Sequence, residues 1–249
     1  MGYQLANING RAALVQGDHY FDLERVSGGA LSSDAIEALR ATAQLNALAA
    51  DLDPASADGL WREASLGPPV PNPQKVFGVG LNYQSHADES SMEAPENPLI
   101  FTKFPSCLVG AYHDVELRSD GCDYEGELVV VIGAPGKDIE REQAWQHVAG
   151  LMIGQDISDR PAQFSAKPPH FDLGKSFDTF GPCGPYMVST DSLADPKDLA
   201  IETWINDERR QSDRTTSLLF DVSFLVSYLS GITRLETGDL IFTGTPEGV

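Results

Sequence analysis

The chain has 249 residues, 41% hydrophobic, 22% charged and 8% aromatic, the balance of a globular protein long enough to bury a sizeable core. Its formal net charge of −20 repels nucleic acid and anionic membrane surfaces, which excludes both as partners. The cysteines, Cys107, Cys122 and Cys183, lack CxxC spacing and read as reduced thiols; no apolar run has the length of a membrane span, and MGYQLANING lacks the regions of a signal peptide, so a cytoplasmic location is expected.

Residues 3–25 read as short strands, YQLANI, RAALVQ and HYFDLE, with turns at Asn9-Gly10 and Gly17-Asp18. The next stretch, LSSDAIEALRATAQLNALAADL, reads as one helix with Ser32 or Ser33 as N-cap and apolar residues at 36, 39, 45 and 48. LGPPVPNPQK, with prolines at 68, 69, 71 and 73, forces extended backbone and ends helices. A small N-terminal α+β domain over residues 1–70 and a larger second domain over 71–249 are therefore expected. Beyond the prolines, KVFGVGLNY, PLIFTKF, DVELR, GELVVVIG, GPYMVST, LAIETWIN and GDLIFTGTP read as strands. SHADESSME, EREQAWQHVAGLM and TSLLFDVSFLVSYLSGI read as helical. Many irregularly spaced strands with few helices point to a mixed, mostly β, α+β domain and away from a doubly wound sheet.

DYEGELVVVIG (123–133) is the most informative stretch. Its apolar half belongs in a sheet interior, yet strand alternation points Asp123, Glu125 and Glu127 the same way, about 7 Å apart. A solvated edge paired with Arg or Lys is one reading. A divalent cation is the other, because it removes both the burial cost and the mutual repulsion of the carboxylates. Hard oxygen ligands suit Mg²⁺ or Mn²⁺, with Ca²⁺ as a substitute, and not zinc. Asp156, at the end of an apolar run, is either a turn residue or a third ligand. In LNYQSHADE, His86 and Glu89 share a helical face, which is either a surface contact or a base with its orienting carboxylate. GVGLNY matches no phosphate-binding fingerprint, and no GxSxG nucleophile turn is present.

LNYQSHADE, PLIFTKFPS, DYEGELVVVIG, QDISDRPAQ, LGKSFDTFGPCGP and GDLIFTGTPEGV occur in the order seen in the fumarylacetoacetate hydrolase family, which residues 72–249 resemble. The resemblance implies a mixed β-sandwich roll, assembled as a homodimer. It implies Mg²⁺ or Mn²⁺ held by Glu125, Glu127 and Asp156, with Asp123 outside the ligand set. It implies His86 and Glu89 as the water-activating dyad on a lid segment and Lys175 opposite developing negative charge. Arg160, Gln163 and Thr245 would contact the substrate, as would Tyr83 and Lys103. A small anionic 2-oxo acid fits this inventory despite the acidic chain, since a cation inverts the local sign. The implied activity is metal-dependent hydrolysis of a C–C bond in a 2,4-dioxo acid such as an acylpyruvate or fumarylpyruvate, with a metal-stabilised enolate and His-activated water. The alternatives are an oxaloacetate-type decarboxylase or an isomerase of aromatic-catabolism intermediates on the same site, or an inactive metal-stabilised binding protein. Asp159-Arg160-Pro161 departs from the family's usual run, and the chain stops just after TGTP, where the family pattern continues, so the expectation is either an incomplete C-terminal end or a truncated member.

Overall fold

The computed structural model describes residues 2–90 and 92–249. Among these, strands from across the chain join one mixed sheet. At its centre Gly126–Ile132 lies between Val148–Gln155 and Leu240–Phe242, antiparallel to both. Leu240–Phe242 pairs in parallel with Val76–Gly80, and Leu99–Thr102 closes that edge. On the other side Val148–Gln155 pairs with Gly181–Ser189, which pairs with Gln4–Ile8 and so carries the N-terminal strands into the same sheet. The mostly β, α+β architecture is as expected.

The continuous apolar run of the central strand follows from burial on both faces. Val129 and Val131 face one core cluster, with Leu5, Leu39 and Phe242. Leu128, Val130 and Ile132 face the other, with Leu225, Val226 and Leu229 of the helix Val222–Ile232. That helix starts where Asp221 accepts the Phe224 N–H at 2.7 Å. By the same alternation Glu127 shares the face of Val129 and Val131.

Several elements differ from their sequence reading. The expected helix over 31–52 is two, Ala35–Leu39 and Thr42–Ala50, with Asp34 and not Ser32 or Ser33 as first N-cap. At 100° per residue, positions 36 and 45 fall on opposite sides of a straight helix and positions 39 and 45 about 120° apart, so one straight helix would spread these apolar residues over more than one face. The break at Arg40–Ala41 turns Leu39 and Leu45 both inward, each 1% exposed or less. The expected helix over 140–152 is a 3₁₀ segment, Arg141–His147, followed by the strand Val148–Gln155. Gly150 permits that strand's close approach to its neighbour, since a Cβ there would lie 2.4 Å from the Val188 carbonyl oxygen. DVELR is irregular: Leu117 is exposed, and the Glu116 N–H is taken by the Thr179 hydroxyl at 2.8 Å. The all-polar strand Glu208–Arg214, paired with Ala200–Ile205, carried no apolar signal.

Candidate active site

The sheet ladder builds the carboxylate cluster. Gly126 stands opposite Gln155, and just beyond that register the Asp156 N–H donates to the Glu125 carbonyl at 2.8 Å. Glu125, Glu127 and Asp156 are all buried, and each offers a carboxylate oxygen within 4.8 Å of the others. Lys175 caps the short helix Phe171–Gly174 and points its ammonium into the cluster. Its three N–H groups go to Glu125 Oε2 (2.9 Å), Asp156 Oδ2 (2.7 Å) and Ser158 Oγ (2.7 Å). Burial works against the Lys175 charge, but Asp156 and Glu125 outweigh it and raise the ammonium above its ordinary range.

The two glutamates differ sharply. Burial pushes the Glu125 carboxyl up, yet Lys175 and Arg160 more than offset this and hold it below the usual carboxylate range. Glu127 accepts the Gly244 N–H at 2.8 Å and pairs with no cation among the described residues. Burial, reinforced by Asp156 and Glu125, lifts it well above its ordinary value. Asp123, Glu125, Glu127 and Asp156 face three cations, Lys103, Arg160 and Lys175. That leaves one negative charge in excess. A divalent cation in place of a Glu127 proton would relieve the repulsion and turn the balance positive, so this oxygen donor set fits Mg²⁺ or Mn²⁺.

A cleft of about 330 Å³ opens beside the cluster. Its walls include Glu125, Lys175, His86, Glu89, Arg160, Gln163 and Thr245, so residues far apart in sequence meet in one place. Asp159 caps the helix Arg160–Gln163, accepting the Ala162 N–H at 2.9 Å, and Pro161 fits its first turn. The run that departs from the family pattern is thus a sound helix start. Arg160 reaches Glu125 Oε1 at 2.7 Å, Gln163 Oε1 at 3.0 Å and Asp123 Oδ2 at 2.9 Å. His86 and Glu89 sit on the helix Gln84–Glu89, with Nδ1 and Oε2 3.6 Å apart. The pair is close but not hydrogen-bonded. His86 Nδ1 is buried without a partner among the described residues, while both Glu89 oxygens accept the Gly248 N–H at 3.1 Å.

Two residues expected at the substrate stand behind the cleft. Tyr83 is fully buried, and burial raises its phenol above the ordinary range, with Asp213 and Glu127 adding to the shift. Lys103, 1% exposed, donates to Asp156 Oδ1 at 2.6 Å and to the Lys175 carbonyl, bracing both members of the cluster. Gln211 gave no signal in the sequence beyond being an amide in a charged strand. It is the buried residue of Glu208–Arg214, and its amide donates to Thr245 Oγ1 at 2.7 Å and accepts the Gly126 N–H at 3.0 Å. Thr245 in turn donates to the Gly126 carbonyl at 2.9 Å, which locks the TGTP loop to the glutamate strand.

Residues 75–249 match the family model described as fumarylacetoacetate (FAA) hydrolase C-terminal. The chain belongs to the fumarylacetoacetate hydrolase family. It is 42% identical over 189 residues to the mitochondrial oxaloacetate tautomerase FAHD2B of Bos taurus, covering 75% of this chain but 60% of that relative's length. Among solved structures it resembles the fumarylacetoacetate hydrolase of Exiguobacterium antarcticum (TM-score 0.84, 32% identity, 99% of this chain and 88% of that one). It also resembles the maleylpyruvate hydrolase of Sphingobium sp. SYK-6 in complex with manganese(II) ion and pyruvate (TM-score 0.83, 30% identity, 98% and 89%). Members of this family act on small organic acids, as hydrolases in those two structures and as a tautomerase in the bovine relative. No helix among the described residues is long and apolar enough to cross a membrane.

Proposed function

We propose that this family member is a Mg²⁺- or Mn²⁺-dependent hydrolase that cleaves a C–C bond in a small 2,4-dioxo acid, working as a cytoplasmic homodimer. The observation that supports it best is the carboxylate cluster of Glu125, Glu127 and Asp156, which meets a cleft through Glu125 where His86, Glu89 and Lys175 also line the wall. When bound by the three carboxylates, the metal ion supplies Lewis-acid polarisation and charge neutralisation to the oxo-acid end of the substrate. Arg160 and Gln163, side by side on the wall, present N–H donors to the substrate carboxylate. Thr245, held by Gln211, fixes the edge of the pocket beside them. His86 takes a proton from water, and Glu89 orients the imidazole once the 3.6 Å gap between them closes. Lys175, already saturated with acceptors, serves as a fixed positive charge opposite the departing fragment.

A second reading, proton transfer or decarboxylation on oxaloacetate without attack by water, is favoured by the 42% identity to the bovine tautomerase and by the open His86–Glu89 contact. An assay of C–C cleavage and of keto–enol interconversion with Mg²⁺ or Mn²⁺, over 2,4-dioxo acids and oxaloacetate with Glu125→Ala in parallel, separates the two. Cleavage of a dioxo acid that vanishes in the variant is the expected result. Turnover of oxaloacetate alone would replace hydrolysis with the second reading, and metal binding with no turnover at all would indicate a binding protein.

A further inference from the structure

Next to the charged end of the cleft lies an apolar groove of about 470 Å³ that the proposed chemistry leaves unused. Met92, Phe164 and Phe171 line both, so the groove continues the cleft. Its floor is the outer face of Leu99–Thr102, and the aromatic rings form a path out from the reacting centre. Lys175 Nζ lies 5.0 Å from the Phe101 ring centroid. Phe101 meets Phe171 edge-on at 5.9 Å, and Phe171 meets Phe164 at 5.9 Å. Gly78 makes room for this, since a Cβ there would lie 2.3 Å from the Phe101 ring. Leu99, Met92 and Phe164 are 39%, 40% and 42% exposed, an apolar patch facing water beside a polar pocket, the usual sign of a surface built to be covered.

Charge decides what covers it. No lysine or arginine lines the groove among the described residues; its ionisable members are His170 and Asp172. Asp172 accepts the Thr102 N–H at 2.8 Å and faces His170 Nε2 at 3.7 Å. Lys175 and Arg160 line the adjoining cleft and not the groove: Lys175 is held by Glu125 and Asp156, and Arg160, held by Asp123 and Glu125, serves the oxo-acid end of the substrate. A carboxylate at the far end of a substrate would lose water and meet aromatic faces, Asp172 and an imidazole that already faces that acid.

We propose that this groove holds the acyl group of the substrate and selects 2,4-dioxo acids ending in an uncharged alkyl or aryl group over those ending in a second carboxylate. The assignment rests on the oxo-acid reading of the site given above. The test is calorimetric binding of a homologous series of 2-oxo acids to the Mn²⁺-loaded protein, methyl-ended and carboxylate-ended at matched lengths. Cleavage of the corresponding dioxo acids is measured separately. Each added methylene should tighten binding about three- to fourfold until the groove is filled. A terminal carboxylate should weaken binding at least about tenfold relative to its methyl-ended match. Leu99→Arg, on the half-exposed floor, should reverse that order, and Leu99→Ser should flatten the length dependence. Affinity independent of length, or stronger for carboxylate-ended acids in the unmodified protein, would overturn the proposal. So would a self-association that Leu99→Arg abolishes while the length series stays flat, since a second copy would then be the occupant. Length-dependent binding without any cleavage would keep the groove and remove hydrolysis; cleavage indifferent to length would do the reverse.

Discussion

The carboxylate cluster, through Glu125, and the His86–Glu89 helix border one cleft and are built differently. The cluster hangs on paired strands and two buried lysines, and the Lys175 and Lys103 ammonium groups both find acceptors within the protein. The dyad rides a six-residue helix, with one imidazole nitrogen unpartnered among the described residues and its carboxylate turned to the Gly248 N–H. A site that must hold charge in place is paired in advance at all but one position, Glu127, because an unpaired buried charge is costly. A site that must move a proton keeps a group uncommitted until substrate and water complete it. The prebuilt half should therefore govern metal affinity, and the open half only rate.

Removing a cluster carboxylate is the strongest way to break this division. Asp156→Ala should abolish both Mn²⁺ binding in calorimetry and turnover, because the two lysines left behind repel the ion. Retention of wild-type Mn²⁺ affinity would show that the metal lies elsewhere. His86→Ala should lower kcat by about 10²–10⁴-fold with Mn²⁺ affinity unchanged. Equal losses in both quantities would mean that the halves are not separable.

Sequence and structure agree most where residue types are expensive to bury. Glu125 and Glu127 stood out because they lead into VVVIG, and the strand they precede is buried on both faces. Asp156 is readable as an acid ending an apolar run, and that run is the strand Val148–Gln155. What could not be read depends on tertiary partners. Glycine at 150 is neutral evidence until Val188 is known to lie against it. Gln211 looks like any amide among charges until the TGTP loop closes on it. Lys103 was placed at the substrate by resemblance, whereas its fully buried ammonium braces Asp156 from behind.

That bracing sets the next effect. Lys103→Met leaves Asp156 with one cation in place of two and should cost about 3–5 kcal/mol of metal-free stability in urea. Saturating Mn²⁺ should restore part of the loss, since ligand bound to the native state adds stability by mass action. No change in the urea midpoint would show that Lys175 alone neutralises the aspartate.

The smallest effect distinguishes Glu125 from Glu127 by pH. In the metal-free protein Glu127 keeps its proton to higher pH in the folded chain than in the unfolded one, because burial and its acidic neighbours raise it. Above the ordinary glutamate range the unfolded state thus binds fewer protons at this residue, and stability declines as pH rises through that window. Glu125 has the opposite sign. Its carboxyl is held low by Lys175 and Arg160 against the cost of burial, so its contribution is present above the ordinary range and is lost as pH falls. Glu127→Gln removes the first slope and leaves the second, so the variant in EDTA should lose less stability than wild type between mildly acidic and neutral pH. Added Mn²⁺ should cancel the wild-type decline by displacing the Glu127 proton, and should bind more tightly as pH rises. If Glu127→Gln and wild type show the same slope in EDTA, the third carboxylate is already ionised without metal, and the charge imbalance of the cluster is met by some other group.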